Sequence, residues 1–262
     1  MIVDSHCHLD LIEAKGYNID EIVADASSNN VKILQTISTK VSQYQNLKKY
    51  TDKYSNVYAS IGNHPCNVKE EGVVSPQQIM DLCNNDQKVI GIGETGLDYF
   101  HDTSFVDQQK QSFLNHIIAS QETQLPLIIH SRDCDIDMID ILQREQANKK
   151  FPALLHCFSS SKELAQKAIE LGIYISFSGI VTFKNAKLVQ QVAKEVPEDM
   201  ILVETDSPYL APTPYRGQDN KPAYTANTLE FLANLRGVDK DYLAKITTNN
   251  FFNIFNKAAF NH

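Results

Sequence analysis

The sequence predicts an α/β fold and, within that class, a (β/α)8 TIM barrel. Short apolar runs rich in β-branched residues recur eight times between residues 2 and 206. Stretches with helical spacing separate these runs, and strands that alternate with helices pair in parallel through right-handed crossovers. The chain length, 262 residues, is also usual for a barrel of this type built as one domain. We therefore expect one barrel domain over residues 1–262, with an open doubly wound sheet of eight strands as the alternative.

The predicted strands follow one another at regular intervals along the chain. They lie near residues 2–8, 31–37, 57–62, 88–93, 126–130, 152–157, 173–178 and 200–206. The clearest helix is FVDQQKQSFLNHIIASQ, in which Val106, Phe113 and Ile117 share one apolar stripe. A second, SSKELAQKAIELG, begins with serine caps and ends at Gly172. Helical spacing continues after Thr225, and this tail is expected to cover and close the barrel.

Composition excludes several classes of protein. The formal net charge is −8, so a protein that binds nucleic acid mainly through surface charge is disfavoured. The five cysteines are scattered and form no CxxC pair, which argues against a disulfide framework and for a reducing compartment. No signal peptide or membrane-spanning run is visible. We expect a cytoplasmic protein with no membrane association and no obligate protein partner.

Polar residues cluster where the predicted strands end. The opening stretch MIVDSHCHLD places Asp4, His6, His8 and Asp10 at alternate positions, which predicts that all four leave one face of the first strand. Later strands end in further residues of metal-binding or charged type: His64, Glu94, His130, Arg132, His156, Glu204 and Asp206. Because active sites of barrels lie at the carboxyl ends of the strands, these side chains are expected to meet at one mouth.

The residue types at this mouth are those of a metal centre. Imidazole with carboxylate suits Zn, Mn, Ni or Fe, and carboxylate oxygens can recruit Mg. Six ligands exceed the need of one tetrahedral ion, so two divalent ions are expected, with Glu94 bridging them. Asp206 is expected to hold one ion and to accept a proton from the attacking water. The predicted ligands are His6, His8, Glu94, His130, His156 and Asp206.

Six motifs, SHCHLD, GNHP, GETGLDY, HSRD, LHCFSSS and ETDSPYLAPTPYRG, resemble those of the TatD family of metal-dependent deoxyribonucleases. The resemblance runs from residue 2 to residue 256 and is closest to bacterial members of the YcfH type. It implies a TIM barrel of the amidohydrolase kind and a divalent-metal site, Mg, Mn or Zn. It also implies hydrolysis of phosphodiesters, typically in single-stranded DNA from the 3′ end. The family's metal ligands fall on the six residues already selected.

The functional roles of the residues around the metal ligands are less closely defined by the sequence. His64 is expected to contact the substrate phosphate or to donate a proton to the leaving oxygen. Arg132 and Arg216 are expected to clamp the phosphate. Two assignments stay undecided: base stacking or packing for Tyr99 and Phe100, and ligand orientation or loop termination for Asp98. Glu204 is expected to support a ligand from behind. No metal role is expected for Cys66, His101, His116 and His262.

The chain departs from the family pattern at four positions, one of which is Lys221, where the family often has an acidic residue. The family often has CFSGS where this chain has CFSSS, so Ser160 replaces a glycine. Gln218 and Asp219 occupy positions that are commonly lysine or arginine. The loss of two cations beside Arg216 is expected to weaken the attraction for phosphate while leaving metal binding intact.

Three alternatives remain at this point. The first is an amidohydrolase-like enzyme that cuts a C–N or C–O bond in a small molecule, since fold and metals do not fix the substrate. The second is a metal-binding scaffold without turnover, which the complete ligand set disfavours. The third is a DNA-binding module without catalysis, which the acidic charge disfavours.

Overall fold

The computed structural model describes residues 1–258, and its eight parallel strands lie in the order in which they occur along the chain. They are β1 (Ile2–Cys7), β2 (Val31–Thr36), β3 (Val57–Ile61), β4 (Val89–Asp98), β5 (Leu127–Arg132), β6 (Ala153–Leu155), β7 (Tyr174–Phe177) and β8 (Ile201–Val203). The sheet closes because the segment after β8 pairs with β1. A parallel bridge joins Cys7 to Ser207, and the Asp206 N–H donates to the His6 carbonyl over 2.8 Å. The predicted barrel is confirmed, and the open sheet is wrong.

Helices lie between successive strands and after the last one. They are α1 (Leu9–Ala14), α2 (Ile19–Ser28), α3 (Tyr44–Lys53), α4 (Val68–Glu71), α5 (Pro76–Asn84), α6 (Val106–Thr123), α7 (Asp135–Asn148), α8 (Lys162–Glu170), α9 (Lys187–Glu195), α10 (Thr225–Arg236) and α11 (Lys240–Ile254). The two helices singled out from the sequence are α6 and α8. The Ser161 hydroxyl accepts the Leu164 N–H at the start of α8, which is the capping that the serines predict.

Two apolar layers hold the barrel together. The larger one lies between the strands and the surrounding helices. The smaller one fills the barrel interior away from the mouth, and α11 contributes Phe251, Ile254 and, just beyond its end, Phe255. These three side chains pack against inward residues of the strands, including Val3 and Leu202. As predicted, the tail closes the barrel, at the end opposite the strand-end polar residues.

The opening stretch differs from the predicted alternation. β1 ends at Cys7, and its pairing with β2 shifts register between Asp4 and Cys7. The Asp4 carboxylate accepts the N–H and O–H of Thr205 over 2.9 and 2.6 Å, away from the cluster that His6 joins. Asp10 lies in α1, beyond the strand. The prediction that four side chains share one face is therefore wrong, because an irregularity of the strand re-aims them; only His6 and His8 converge.

Over residues 1–258, no helix combines the length and the apolar character that crossing a bilayer would require.

Candidate metal centre

The carboxyl ends of five strands bring the six predicted ligands together. His6 lies near the end of β1, and His8 directly precedes α1. Glu94 and His130 belong to β4 and β5. The remaining two, His156 and Asp206, follow β6 and β8. The parallel sheet places these positions at the same end of the barrel, as the sequence predicts.

One oxygen of Glu94 faces the first pair of histidines. Glu94 Oε2 lies 3.3 Å from His6 Nε2 and 3.9 Å from His8 Nε2. The same two nitrogens lie 3.6 and 3.3 Å from Asp206 Oδ1. Two imidazoles and two carboxylates therefore surround one small volume on this side of Glu94.

The other oxygen of Glu94 faces three further histidines. Glu94 Oε1 lies 2.8 Å from His156 Nε2, 3.0 Å from His130 Nδ1 and 3.4 Å from His64 Nε2. The side chain of Glu94 is almost fully buried between the two groups. Its position is that of a carboxylate shared between two sets of nitrogen ligands.

Outer partners fix the orientation of three rings. His8 Nδ1 lies 3.2 Å from the Ile37 carbonyl, to which it donates. His130 Nε2 lies 2.9 Å from Asp98 Oδ2, and His156 Nδ1 lies 3.3 Å from Glu204 Oε1. Each ring then turns its other nitrogen toward the central carboxylates. A carboxylate or carbonyl behind a histidine is the usual support of a metal ligand.

The nitrogen and oxygen atoms at the centre are arranged to bind cations and not to form hydrogen bonds with one another. A neutral His8 that donates through Nδ1 has a bare lone pair at Nε2, and this lone pair points at carboxylate oxygens. Within residues 1–258, His6 Nδ1, His6 Nε2 and His156 Nε2 are buried and make no hydrogen bond of good geometry. Because buried polar atoms are almost always satisfied, these orphan nitrogens indicate a missing positive partner. Imidazole and carboxylate together suit the divalent ions expected from the sequence.

The pKa values of the histidines and carboxylates also indicate that this site favours positive charge. Burial opposes protonation of His8, but Asp206 and Glu94 outweigh it and raise the pKa of His8 to about 9. Burial likewise opposes ionisation of Glu94, yet His156 and the other surrounding histidines hold the pKa of Glu94 well below its usual range. The pKa values of His130 and His156 are also raised, so protons on His8, His130 and His156 balance the carboxylates, whereas burial lowers the pKa of His6.

His64 lies beside the centre. Its Nδ1 accepts the backbone N–H of Cys66 over 3.1 Å, so in the neutral ring the proton is on Nε2, the nitrogen that faces Glu94. Burial lowers the pKa of His64 to about 3. The ring is therefore a neutral N–H donor pointed into the mouth.

The predicted arginines lie on aromatic rings at the rim. The Arg132 guanidinium lies 4.4 Å from the centre of the Phe100 ring, and that of Arg216 lies 3.5 Å from the Phe183 ring. Arg132 and Phe183 line a cleft of about 960 Å³ that also includes Ser159 and Ser160 from the loop after His156. Arg132, which ends β5 two residues after His130, thus lines this cleft directly, and Arg216 lies against it through Phe183. Tyr99 also lines the cleft and donates its hydroxyl to Asp137 over 2.6 Å.

Contacts of the Asp219 side chain explain one of the departures from the family pattern. Its two oxygens accept from Lys15 Nζ over 2.6 Å and from the Tyr17 hydroxyl over 3.0 Å. The negative charge of this carboxylate is therefore neutralised by Lys15, the residue that follows α1. Gln218 donates its backbone N–H to the Tyr215 carbonyl over 3.1 Å.

The sequence left Asp98 undecided between ligand orientation and loop termination, and its carboxylate makes contacts of both kinds, with His130 and with the N–H groups of Phe100 and His101. A signal was present, because Asp98 follows Glu94 by four positions on one strand and alternation places both on the same face. Glu204 takes the outer position expected of it, behind His156. His116 is buried in α6 away from the centre, His101 is exposed, and His262 lies outside the described residues.

Comparison with known proteins settles the family. Residues 3–256 match the family described as TatD related DNase. The chain belongs to the TatD family. It is 40% identical over 258 residues to the uncharacterized metal-dependent hydrolase YcfH of Escherichia coli K12, covering 97% of this chain and 95% of YcfH. It is 36% identical over 255 residues to the uncharacterized metal-dependent hydrolase YabD of Bacillus subtilis, covering 97% of this chain and 99% of YabD.

The solved structures agree with this assignment. The crystal structure of YjjV, a TatD homologue from E. coli K12, superposes with a TM-score of 0.90 at 26% identity and covers 97% of this chain and 98% of that one. The resemblance to the TatD family and to its YcfH type is thereby confirmed. The chain is a metal-dependent hydrolase of this family.

Proposed function

We propose that this TatD hydrolase cleaves phosphodiester bonds and that its substrate is single-stranded DNA, shortened from the 3′ end. The observation that carries the proposal is Arg132, which ends β5 two residues after His130 and lines the cleft, together with Arg216, which packs on Phe183 of the same cleft. A guanidinium matches two phosphate oxygens, whereas a neutral amide or ester has no use for two such groups. The description of the matching family, TatD related DNase, supports the same substrate class.

Two divalent ions, Mg, Mn or Zn, would be held on the two sides of Glu94. His6, His8 and Asp206 surround Oε2 of Glu94, and His130 and His156 surround Oε1. When bound, such ions would lower the pKa of the attacking water and neutralise the charge that develops on the phosphate. The donor set matches this chemistry because it combines imidazole nitrogens with a shared carboxylate.

Asp206 is the proposed proton acceptor of the chain. Its side chain is 15% exposed, compared with 4% for Glu94, so it is the carboxylate more open to the mouth. Burial alone would raise the pKa of Asp206, but the hydrogen bond from His8 and the nearby histidines lower it. At neutral pH the carboxylate is therefore ionised. Because Oδ1 faces His6 and His8, the proton of the attacking water would pass to the other carboxylate oxygen.

His64 and the arginines are proposed to position the phosphate. His64 presents Nε2–H toward the centre, where it can donate to a phosphate oxygen or to the leaving oxygen. Arg132 and Arg216 would hold the remaining oxygens from the rim, and the Phe100 ring, 58% exposed, offers an apolar face to a base. The net charge of −8 fits a nuclease whose contact with DNA is confined to this mouth.

A comparison of small chromogenic substrates tests the reaction class. Metal-loaded protein is incubated with bis(p-nitrophenyl) phosphate, p-nitrophenyl acetate and a p-nitroanilide, alongside Asp206→Asn. We expect hydrolysis of the phosphodiester alone and its loss in Asp206→Asn. Faster hydrolysis of the acetate or the anilide would contradict the proposal and favour an amidohydrolase-like activity.

A further inference from the structure

A second cluster of metal-binding side chains lies behind the centre. Ligand atoms of Cys66, Asp98 and His101 all lie within 4.8 Å of one another. Cys66 belongs to a short 3-10 turn, Pro65–Asn67, after β3, and Asp98 is the last residue of β4. His101 lies in the following loop, with Nδ1 at 2.8 Å from Asp98 Oδ2.

The chemistry of the cluster differs from that of the main centre. A thiolate, an imidazole and a carboxylate form a ligand set typical of zinc and other thiophilic divalent ions. Asp98 is fully buried and anchored, because its Oδ1 accepts the N–H groups of Phe100 and His101 over 3.0 and 2.9 Å. Cys66 and His101 are exposed, so an ion can enter from solvent and keep water in its remaining positions. We propose that these three residues form an additional binding site for a thiophilic divalent cation.

The site would be linked to the main centre through two direct contacts. Asp98 Oδ2, which faces His101, also lies 2.9 Å from His130 Nε2. The backbone N–H of Cys66 donates to His64 Nδ1 over 3.1 Å. A cation held by Cys66 and Asp98 would therefore bear on the orientation of both histidines. The inference does not depend on which substrate the enzyme cleaves.

The test uses Co²⁺ as the probe, because cobalt ligated by a thiolate gains an intense charge-transfer absorption that imidazole and carboxylate ligands do not produce. The metal-free full chain is titrated with Co²⁺ and bound metal is counted in parallel. Cys66→Ser and His101→Ala are compared with Cys157→Ser, the cysteine next to the predicted ligand His156. Cys66 and His101 are exposed, so neither change threatens the core.

We expect the charge-transfer band in the wild type and in Cys157→Ser, and its absence in Cys66→Ser. Cys66→Ser and His101→Ala should each bind about one equivalent of Co²⁺ less than the wild type. The absence of the band in the wild type, or a band that survives Cys66→Ser, would overturn the proposal. Loss of the band in Cys157→Ser alone would place the thiolate at the main centre and overturn it as well.

Discussion

At Glu94, one carboxylate serves two groups of histidines through its two oxygens. The identity of these residues could be predicted from the sequence, because each follows an apolar run and parallel strands end together. The outer partners could not be predicted as readily. The contact of Asp98 with His130 depends on the register between β4 and β5, and that of Cys66 with Asp98 depends on the turn after β3; periodicity along the chain encodes neither.

A substitution of Glu204 tests whether the carboxylate behind His156 supports metal binding. Glu204→Gln keeps an oxygen that can accept from His156 Nδ1 but removes the buried charge behind the ring. We expect the apparent affinity for Mn²⁺ to fall by about 10- to 100-fold, because a metal-binding histidine loses basicity without its carboxylate. The measurement is the Mn²⁺ dependence of phosphodiester hydrolysis. Glu170→Gln, an exposed change at the end of α8, is the matched control, and equal behaviour of the two variants would contradict the assignment.

Arg216 offers a test of phosphate binding. Arg216→Lys keeps the charge but loses the fork that can hold two oxygens and the flat contact with Phe183. We expect KM for a phosphodiester to rise by about tenfold with little change in kcat, as for loss of one charge-assisted hydrogen bond. Steady-state kinetics measure both constants, with the exposed Arg144→Lys as control. A fall in kcat at constant KM would instead place Arg216 in the chemical step.

Among the elements, α6 carries a histidine that the apolar stripe of its sequence did not explain. His116 is fully buried, its Nε2 accepts the Asn63 N–H over 3.1 Å, and its Nδ1 donates to the Ser112 carbonyl over 2.7 Å. The ring thus joins α6 to the loop after β3. The bounds of such helices could be predicted from spacing and caps, whereas this cross-link could not, because it depends on which loop lies opposite.

His116 predicts a pH dependence of stability. Burial lowers the pKa of His116 to about 4, below the ordinary histidine value of 6.5, so the unfolded chain takes up the proton first. The contribution of the neutral ring is complete above pH 6.5 and is lost as the pH falls toward 4. His116→Gln keeps an acceptor for Asn63 and does not titrate. As the pH falls from 7 to 4, the free energy of unfolding of the wild type should therefore decrease by on the order of 3 kcal/mol more than that of the variant.

Urea unfolding of both proteins across this range measures the difference. Parallel curves of free energy against pH would show that His116 is not held neutral by burial.

For the whole molecule, the eight regularly spaced apolar runs were sufficient to predict the barrel. Each strand of a barrel is buried on one face by the helices and on the other by the barrel interior, so it forms a continuous apolar run. The position of the mouth followed from the same spacing. The irregular pairing of β1 was beyond such reasoning, because a one-residue shift changes which side chains face inward without changing the composition of the strand.

The central claim concerns the mouth of the barrel as a metal-dependent phosphodiesterase acting on DNA. The most direct measurement is cleavage of a 5′-labelled single-stranded oligonucleotide by metal-loaded protein, with EDTA and His156→Ala as controls. We predict a ladder that shortens from the 3′ end and disappears in both controls. An intact oligonucleotide after incubation with protein shown to carry metal would contradict the claim.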